Sequence, residues 1–292
     1  YGVSLGGPLK RDKAFLFAGY EGLRERLGRT ITAVVPDANA HAGLAPSGGQ
    51  LVNTGVNPAV APYLNEMPLP NAGDIGGGLG RYTFGFGQTL RQDFGQIRYD
   101  HNLGDDGQFF ARYTTDDASQ RLPVELPQFP RFFESRNQFF TAEYTRPLSP
   151  RALNTLRAGF SRTRVGQDVQ ANTATALRPF VSTRSLVGNI DIGGASRFGP
   201  QTSVNVKLTQ NVTTLEDHVS LIRGRHTLKL GGLFEHYQDN MQNPTFSLGI
   251  YTFSDVRAFL ENRPLRFLGL GPEGAIDRYW RFDLLGVFVQ DA

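Results

Sequence analysis

Apolar side chains recur at every second residue in short, separate stretches of this sequence, and a period of two puts them on one side of an extended strand. Ile97, Tyr99 and Leu103 share one parity while Gln96, Arg98, Asp100 and Asn102 fill the other, with His101 the misfit. Phe109, Ala111 and Tyr113 alternate with Gln108, Arg112 and Thr114, interrupted by Phe110. Phe140, Ala142 and Tyr144 alternate with Thr141, Glu143 and Thr145, and Leu156, Ala158 and Phe160 with Arg157, Gly159 and Ser161. Leu215, Val219 and Leu221 follow the same rule against Glu216, His218 and Ser220, although Asp217 falls on the apolar parity. Leu228, Leu230 and Phe234 alternate with Thr227, Lys229 and Glu235. Leu285, Val287 and Val289 close the series, less cleanly, because Phe288 shares the other face with Gly286 and Gln290.

The connections narrow the choice of fold further. Lys10 to Lys13, Gly104 to Gly107, Pro147 to Pro150 and Arg223 to Arg225 carry turn chemistry between strand patterns. Between these tight turns lie long connections, roughly 28–90, 118–136, 166–203 and 238–278. Compact soluble domains seldom hold loops beyond about 15 residues, whereas outer-membrane barrels alternate short periplasmic turns with long extracellular loops. The reading is an all-β, antiparallel transmembrane β-barrel segment. Nine strands are expected at 1–8, 14–25, 93–103, 107–117, 136–146, 152–165, 206–222, 226–240 and 279–292, with a helical turn near 59–67 inside the first long loop. The abrupt start at Tyr1-Gly2-Val3-Ser4 reads as that of an internal fragment. Open sheet edges in lipid leave backbone groups unpaired, so further strands are expected on each side.

Composition agrees with this and excludes several classes. The 22 Phe, 10 Tyr and 34 Gly favour aromatic strands and turns over helices. With no Cys, thiolate metal sites, thiol nucleophiles and disulfides are out. The net charge of +3 is spread along the chain, with no basic block to suggest a nucleic-acid partner. No run of about 18 apolar residues supplies a spanning helix, and mean hydropathy is −0.31. A strand that crosses lipid with alternate residues escapes such a measure.

Several motifs suggest chemistry and are better read as structure. Gly2-Val3-Ser4-Leu5-Gly6 matches a nucleophile elbow, but Gly7-Pro8 and a charged turn follow it instead of a helix, so Ser4 reads as a strand residue. Gly76 to Gly80 lacks the following helix and the Gly-Lys-Ser/Thr ending of a phosphate loop and reads as flexible loop. His218, His226 and His236 sit on neighbouring strands without a recognised ligand spacing. Asp105-Asp106 and Asp116-Asp117 suggest catalytic or calcium-binding carboxylates, but the first pair falls in a hairpin turn, where Asp supports the backbone, and the second where a strand is expected to enter a loop. Asn211-Val212-Thr213 fits a glycosylation sequon but has no meaning in a bacterial barrel strand. Tyr20, Tyr82, Phe84, Phe86, Tyr99, Tyr113, Phe140, Tyr144, Tyr279 and Trp280 are expected to face lipid or form interfacial girdles. The polar parity, Gln96, Arg98, Asp100, Arg112, Glu143, Arg157 and Lys229, is expected to face a lumen. No catalytic, cofactor or metal residue is assigned, and the chain is read as a non-enzyme.

Gly6-Gly7-Pro8-Leu9-Lys10-Arg11-Asp12-Lys13-Ala14-Phe15-Leu16-Phe17, continuing to Gly19-Tyr20-Glu21-Gly22-Leu23-Arg24, resembles the GGP-basic-DK-aromatic hairpin of TonB-dependent receptors of the Oar-like group. The hairpin from Asp93 to Tyr113, the Arg223-to-Gly232 hairpin and the terminal Val287-Phe288-Val289-Gln290-Asp291 agree with it in order. The resemblance implies a barrel of about 22 strands with a plugged lumen. Residues 1–292 would then be part of one barrel domain, with the plug and the remaining strands outside this chain. Implied partners are outer-membrane lipid, the plug and the TonB energy-coupling system, and the implied function is uptake of a bulky solute in the outer membrane. The rivals are a plugless porin or structural barrel, and a soluble β-rich adhesion or carbohydrate-binding domain, which would need a dry core between two sheets.

Overall fold

The computed structural model describes residues 1–203, 205–271 and 273–291. In chain order the elements are β1 (Gly2–Lys10), β2 (Ala14–Pro36), α1 (Ala38–His41), β3 (Leu44–Ser47), β4 (Gln50–Asn53), α2 (Ala61–Glu66), β5 (Asp74–Gly76), β6 (Leu79–Asn102) and β7 (Gln108–Leu122). They continue with β8 (Arg131–Ser149), β9 (Ala152–Val169), β10 (Asn189–Ile192), β11 (Val206–Arg223), β12 (His226–Gln242), β13 (Ile250–Phe253), α3 (Val256–Leu260), β14 (Arg266–Leu268) and β15 (Asp277–Asp291). Nine long strands form one antiparallel sheet in the order β1-β2-β6-β7-β8-β9-β11-β12-β15, with the short β5 added beside β6. All short turns therefore lie at one end of this wall and all long connections at the other. The all-β antiparallel expectation holds. Ala292, the expected last residue of the ninth strand, and Pro272 in the fourth long connection lie outside the described residues.

The strand boundaries differ from expectation at the long-loop end. β2 runs 23 residues and β6 runs 24, about twice the ~9–11 residues that cross a bilayer. Their pairing is unbroken from Ala14↔His101 to Pro36↔Leu79. The stretch 28–36 and 79–90, expected as loop, is thus paired strand, and the second connection shrinks from 118–136 to 123–130. In these extensions the apolar parity changes sides, to Ile31, Ala33 and Val35 in β2 and Tyr82, Phe84 and Phe86 in β6, because the cap is the apolar neighbour there, while the backbone ladder needs only a partner strand. Asp116 and Asp117, expected at a loop entrance, accordingly sit inside β7, where Asp117 is paired with Arg136 at 2.6 Å.

The long connections fold together. The three-stranded sheet β10-β13-β14, the β3-β4 hairpin and the three short helices share one buried cluster. Phe129, Phe198, Phe259 and Leu260 are fully buried there, drawn from the second, third and fourth long connections. Ala40, Ala45 and Leu64 come from the first, and Val35 and Val169 from the wall strands beneath. This cap holds nearly all the buried apolar side chains of the described residues. The segment 76–80, expected as flexible loop, is a hairpin joining β5 to β6. Gly76, Gly77 and Gly78 all have φ between +71 and +82°, a conformation that residues with a Cβ adopt only with strain.

Candidate functional site: the two faces of the wall and the loop cap

Residues opposite one another in an antiparallel pair share a face, so the register sorts the wall into two sides. One row reads Leu16, Tyr99, Ala111, Ala142, Ala158, Leu215, Phe234 and Leu285 across eight strands. The rows two residues away on this side include Ile97, Tyr113, Phe140 and Phe160 in one direction and Phe109, Tyr144, Leu156 and Val287 in the other. Many of these side chains are exposed in the isolated chain, Val287 at 83% and Leu285 at 78%. Among the described residues no second sheet covers this side. The dry two-sheet core needed by a soluble adhesion domain is not what these residues build.

The opposite side is polar. The register puts Gln96, Arg98, Asp100, Arg112, Glu143, Arg157 and Lys229 together on it. Glu143 faces Arg157 across β8 and β9, and the guanidinium reaches its carboxylate at 2.5 Å. Arg157 also stands 3.7 Å from Glu216 on β11, so one cation bridges two carboxylates over three strands. Arg98 pairs with Asp100 at 2.6 Å along its own strand and lies 4.0 Å over the Phe110 ring. Phe110, the misfit of the alternation, is thus a platform for a cation. Lys229 stands apart, 5.6 Å over Phe288. The seven residues therefore share a face without converging on one point, and they form a lining.

The other sequence candidates are dispersed. Ser4 is paired with Gly19 inside β1, with no elbow around it. His218 lies on the polar side, His236 on the apolar one, and His226 ten residues further along β12. His226 and His236 instead each meet an aspartate of β15, Asp291 at 2.7 Å and Asp283 at 2.6 Å. Asp105 and Asp106 lie in a 3-10 turn, as their turn chemistry implies. Of the expected girdle aromatics, Tyr20, Tyr99, Tyr113, Phe140 and Tyr144 stand on the apolar side. Tyr82, Phe84 and Phe86 do not. They occupy the opposite side of the extended end of β6, where Phe86 is buried and Tyr82 packs on the cap core.

The cap is tied by groups that no sequence motif marks. Glu66, at the end of α2, accepts the backbone N–H of Ala174 at 2.8 Å, and the N–H and hydroxyl of Thr175 at 2.7 Å each. Burial pushes this carboxyl up, but the hydrogen bonds from Thr175 and Ala174 outweigh it and hold it below the usual glutamate range. Beside it the Tyr63 hydroxyl donates to Arg178 O at 2.9 Å, and burial raises that phenol. The Asn57 N–H donates to Leu260 O at 2.9 Å and Arg257 donates to Ser47 Oγ at 2.9 Å, joining the first connection to the fourth. The second and third are joined by the Asn172 N–H, which donates to Gln128 O at 2.8 Å. Asp37 and Asp255 each cap a short helix through their side chains. Their signal was the aspartate three residues before an Ala at a helix start, which in loops this long is easily lost.

A search of curated sequences gave no match. The outer membrane transporter YddB from Escherichia coli is similar in structure over 100% of this chain, with a TM-score of 0.53 and 9% sequence identity. The ferric-catecholate import receptor Fiu from E. coli K12 covers 99% of this chain with a TM-score of 0.36 and 10% identity. This chain spans 31% of the YddB chain and 44% of the Fiu chain, and the YddB likeness speaks for the fold alone. A family model described as outer membrane beta barrel domain matches residues 1–292. The continuous wall, its one apolar side and the full-length match agree: the chain belongs to the outer membrane beta barrel domain family and is a barrel segment of the outer membrane.

Proposed function

We propose that this chain is part of the barrel wall of a TonB-dependent receptor that takes up a bulky solute through a plugged lumen. The observation that carries the reading is the ordered cap on strands extended far past the bilayer. Four long connections share one apolar core and stand where an external solute would first meet the protein. A pore for small solutes has no need of so much ordered chain above it. The hairpin from Gly6 to Arg24 and its companion segments support membership of the Oar-like group. In this reading the polar lining, Gln96, Arg98, Asp100, Arg112, Glu143, Arg157 and Lys229, faces the lumen. A plug domain and TonB, both outside this chain, are its partners. The test is the conductance of the full-length protein in planar bilayers. A plugged receptor stays closed until denaturant loosens the plug. A steady open conductance from the outset would instead make it a plugless porin.

A further inference from the structure

The polar side of the wall carries rings as well as charges, and three of those rings already lie under a cation of the protein. Arg98 stands 4.0 Å over Phe110, Arg131 4.7 Å over Phe133 and Lys229 5.6 Å over Phe288. A fourth group of rings has no such cover among the described residues. The register puts Trp280, Phe282 and Leu284 of β15 on this side, opposite Asp239, Tyr237 and Glu235 of β12, in three successive rows about 7 Å apart. The Tyr237 and Phe282 rings are stacked at 4.5 Å, with 8° between their planes. Phe282 is 50% exposed and Trp280 45%, so ring surface stays open. The two carboxylates frame the rings, about 14 Å apart along the strand. Among the described residues neither forms an ion pair. Glu235 accepts the Tyr237 hydroxyl at 2.7 Å and the Thr214 hydroxyl at 3.4 Å, and Asp239 accepts the Gln210 amide at 3.4 Å. The two guanidinium groups of β15 are turned elsewhere. Arg278, one row nearer the long connections, donates to the carbonyls of Ala275 and Asp277, and Arg281, on the apolar side, to those of Asp239 and Trp280 and to Asn240.

We infer that this patch binds the cationic group of an organic solute, an ammonium or guanidinium carried on an apolar or aromatic body. Charge decides the ligand. A cation over Trp280 or Phe282 meets the negative face of the ring and the field of Asp239 or Glu235 at once, and its apolar body covers the neighbouring ring and Leu284. A neutral solute would be held by the rings alone and would leave both carboxylates uncompensated, and an anion would be repelled by them. The same side satisfies Phe110, Phe133 and Phe288 with cations of its own, so the group at β12 and β15 differs in having its rings and its charge in place and the cation missing from the described residues. Its position suits first capture, since Asp239 lies three residues before the end of β12, where the chain enters the fourth long connection. The inference rests on the reading under the proposed function, in which this side faces the lumen, and it narrows the solute of that reading to a cationic one.

The experiment titrates choline and its neutral isostere neohexanol into the full-length protein in a maltoside detergent, which carries no cation of its own, with binding read by calorimetry. Choline is expected to bind about tenfold more tightly than neohexanol. Trp280→Leu, which keeps apolar area and removes the ring face, and Asp239→Asn, which keeps the shape and removes the charge, should each abolish most of that preference. Phe139→Leu, a ring on the same side four strands away, should leave it unchanged. Equal affinities for the two probes overturn the inference, and so does a preference that survives both Trp280→Leu and Asp239→Asn. Absence of choline binding overturns it too. A photocrosslink from p-benzoylphenylalanine in place of Phe282 to the plug would then identify a lysine or arginine of the plug as the occupant. The orientation is tested separately, because the chain has no cysteine. A fluorophore on Asp239→Cys that is quenched by brominated acyl chains puts this side in lipid and sinks the lumen reading together with the inference. No quenching and no preference for choline sinks the inference alone.

Discussion

The wall and the cap draw on similar residues and bury them in opposite ways. In the cap Phe129, Phe198, Phe259 and Leu260 have 0% of their surface exposed, packed edge to face at 5.2 Å for Phe129 with Phe198 and 5.3 Å for Phe253 with Phe259. In the wall Leu215, Phe234 and Phe160 point away from the sheet into nothing the chain itself supplies. The cap is held as a water-soluble domain is, by apolar burial against its own side chains. The wall is held by backbone ladders, and its apolar side chains need lipid as solvent. A chain that contains both must fold across two solvents, and the point where the apolar parity of β2 and β6 changes sides marks the border between them.

The comparison breaks most directly in the cap. Phe259→Ala should cost about 3–5 kcal/mol because it leaves a cavity among side chains that cannot collapse onto it. The loss should appear as protease cleavage within the long connections while the wall keeps its β-sheet circular dichroism in lipid. Cleavage accompanied by loss of the sheet would show that cap and wall fold as one unit. Leu215→Arg is the matching test of the wall. On a lipid-facing side it should destabilise by about 2–4 kcal/mol, read from denaturant titration in lipid vesicles. The same change at Ser161, on the polar side of the neighbouring strand, should stay well below that. Equal costs at the two positions would erase the distinction between the faces.

What the sequence made legible follows the same border. All nine wall strands were anticipated, and the parity of the faces was visible in seven of them, because a single face contacts a uniform apolar medium and writes a period of two. The extensions 28–36, 79–90 and 118–122 were not read as strand, because there the apolar parity leaves the lipid side and Ala33, Val35 and Leu79 join the cap core instead. Residues such as Arg24, Glu25, Arg26 and Arg29 show no alternation although their backbones are fully paired. The cap was illegible for a different reason. Its parts come from segments far apart in sequence and are tied across them, as by the hydrogen bond between Ala174 and Glu66, 108 positions apart. The parallel pairing of β10 with β13 joins four-residue strands from separate loops. Of the three helices only α2 was foreseen, as a helical turn near 59–67, helped by Pro62 in its first turn.

The junction between the first and third connections gives a smaller effect with a definite pH sign. Glu66→Gln keeps the shape but loses the charge received by three donors, at a cost of about 1–3 kcal/mol to the cap. The carboxyl is more acidic in the folded cap than in the unfolded chain. Its contribution is therefore complete above the ordinary glutamate range, about 4.3, and is lost as pH falls through the lower folded-state value. Protease resistance of the cap should decline with acid in the parent protein, and that decline should be shallower in Glu66→Gln. An unchanged acid profile would assign the tie to Tyr63 and the aromatic contacts around it.

The smallest effect tests how wet the polar side is. Arg157 bridges Glu143 and Glu216 while remaining 48% exposed. In a water-filled lumen its replacement by Gln should cost no more than about 1 kcal/mol, because solvent screens the carboxylates it leaves behind. Against a dry surface the same change strands two carboxylates and costs about 3–5 kcal/mol. Denaturant titration of Arg157→Gln in the full-length protein therefore reads the surroundings of this side. A small loss describes a lining in contact with water. A large one means that another part of the protein is seated on Glu143 and Glu216, which is where a plug held by the polar lining would lie.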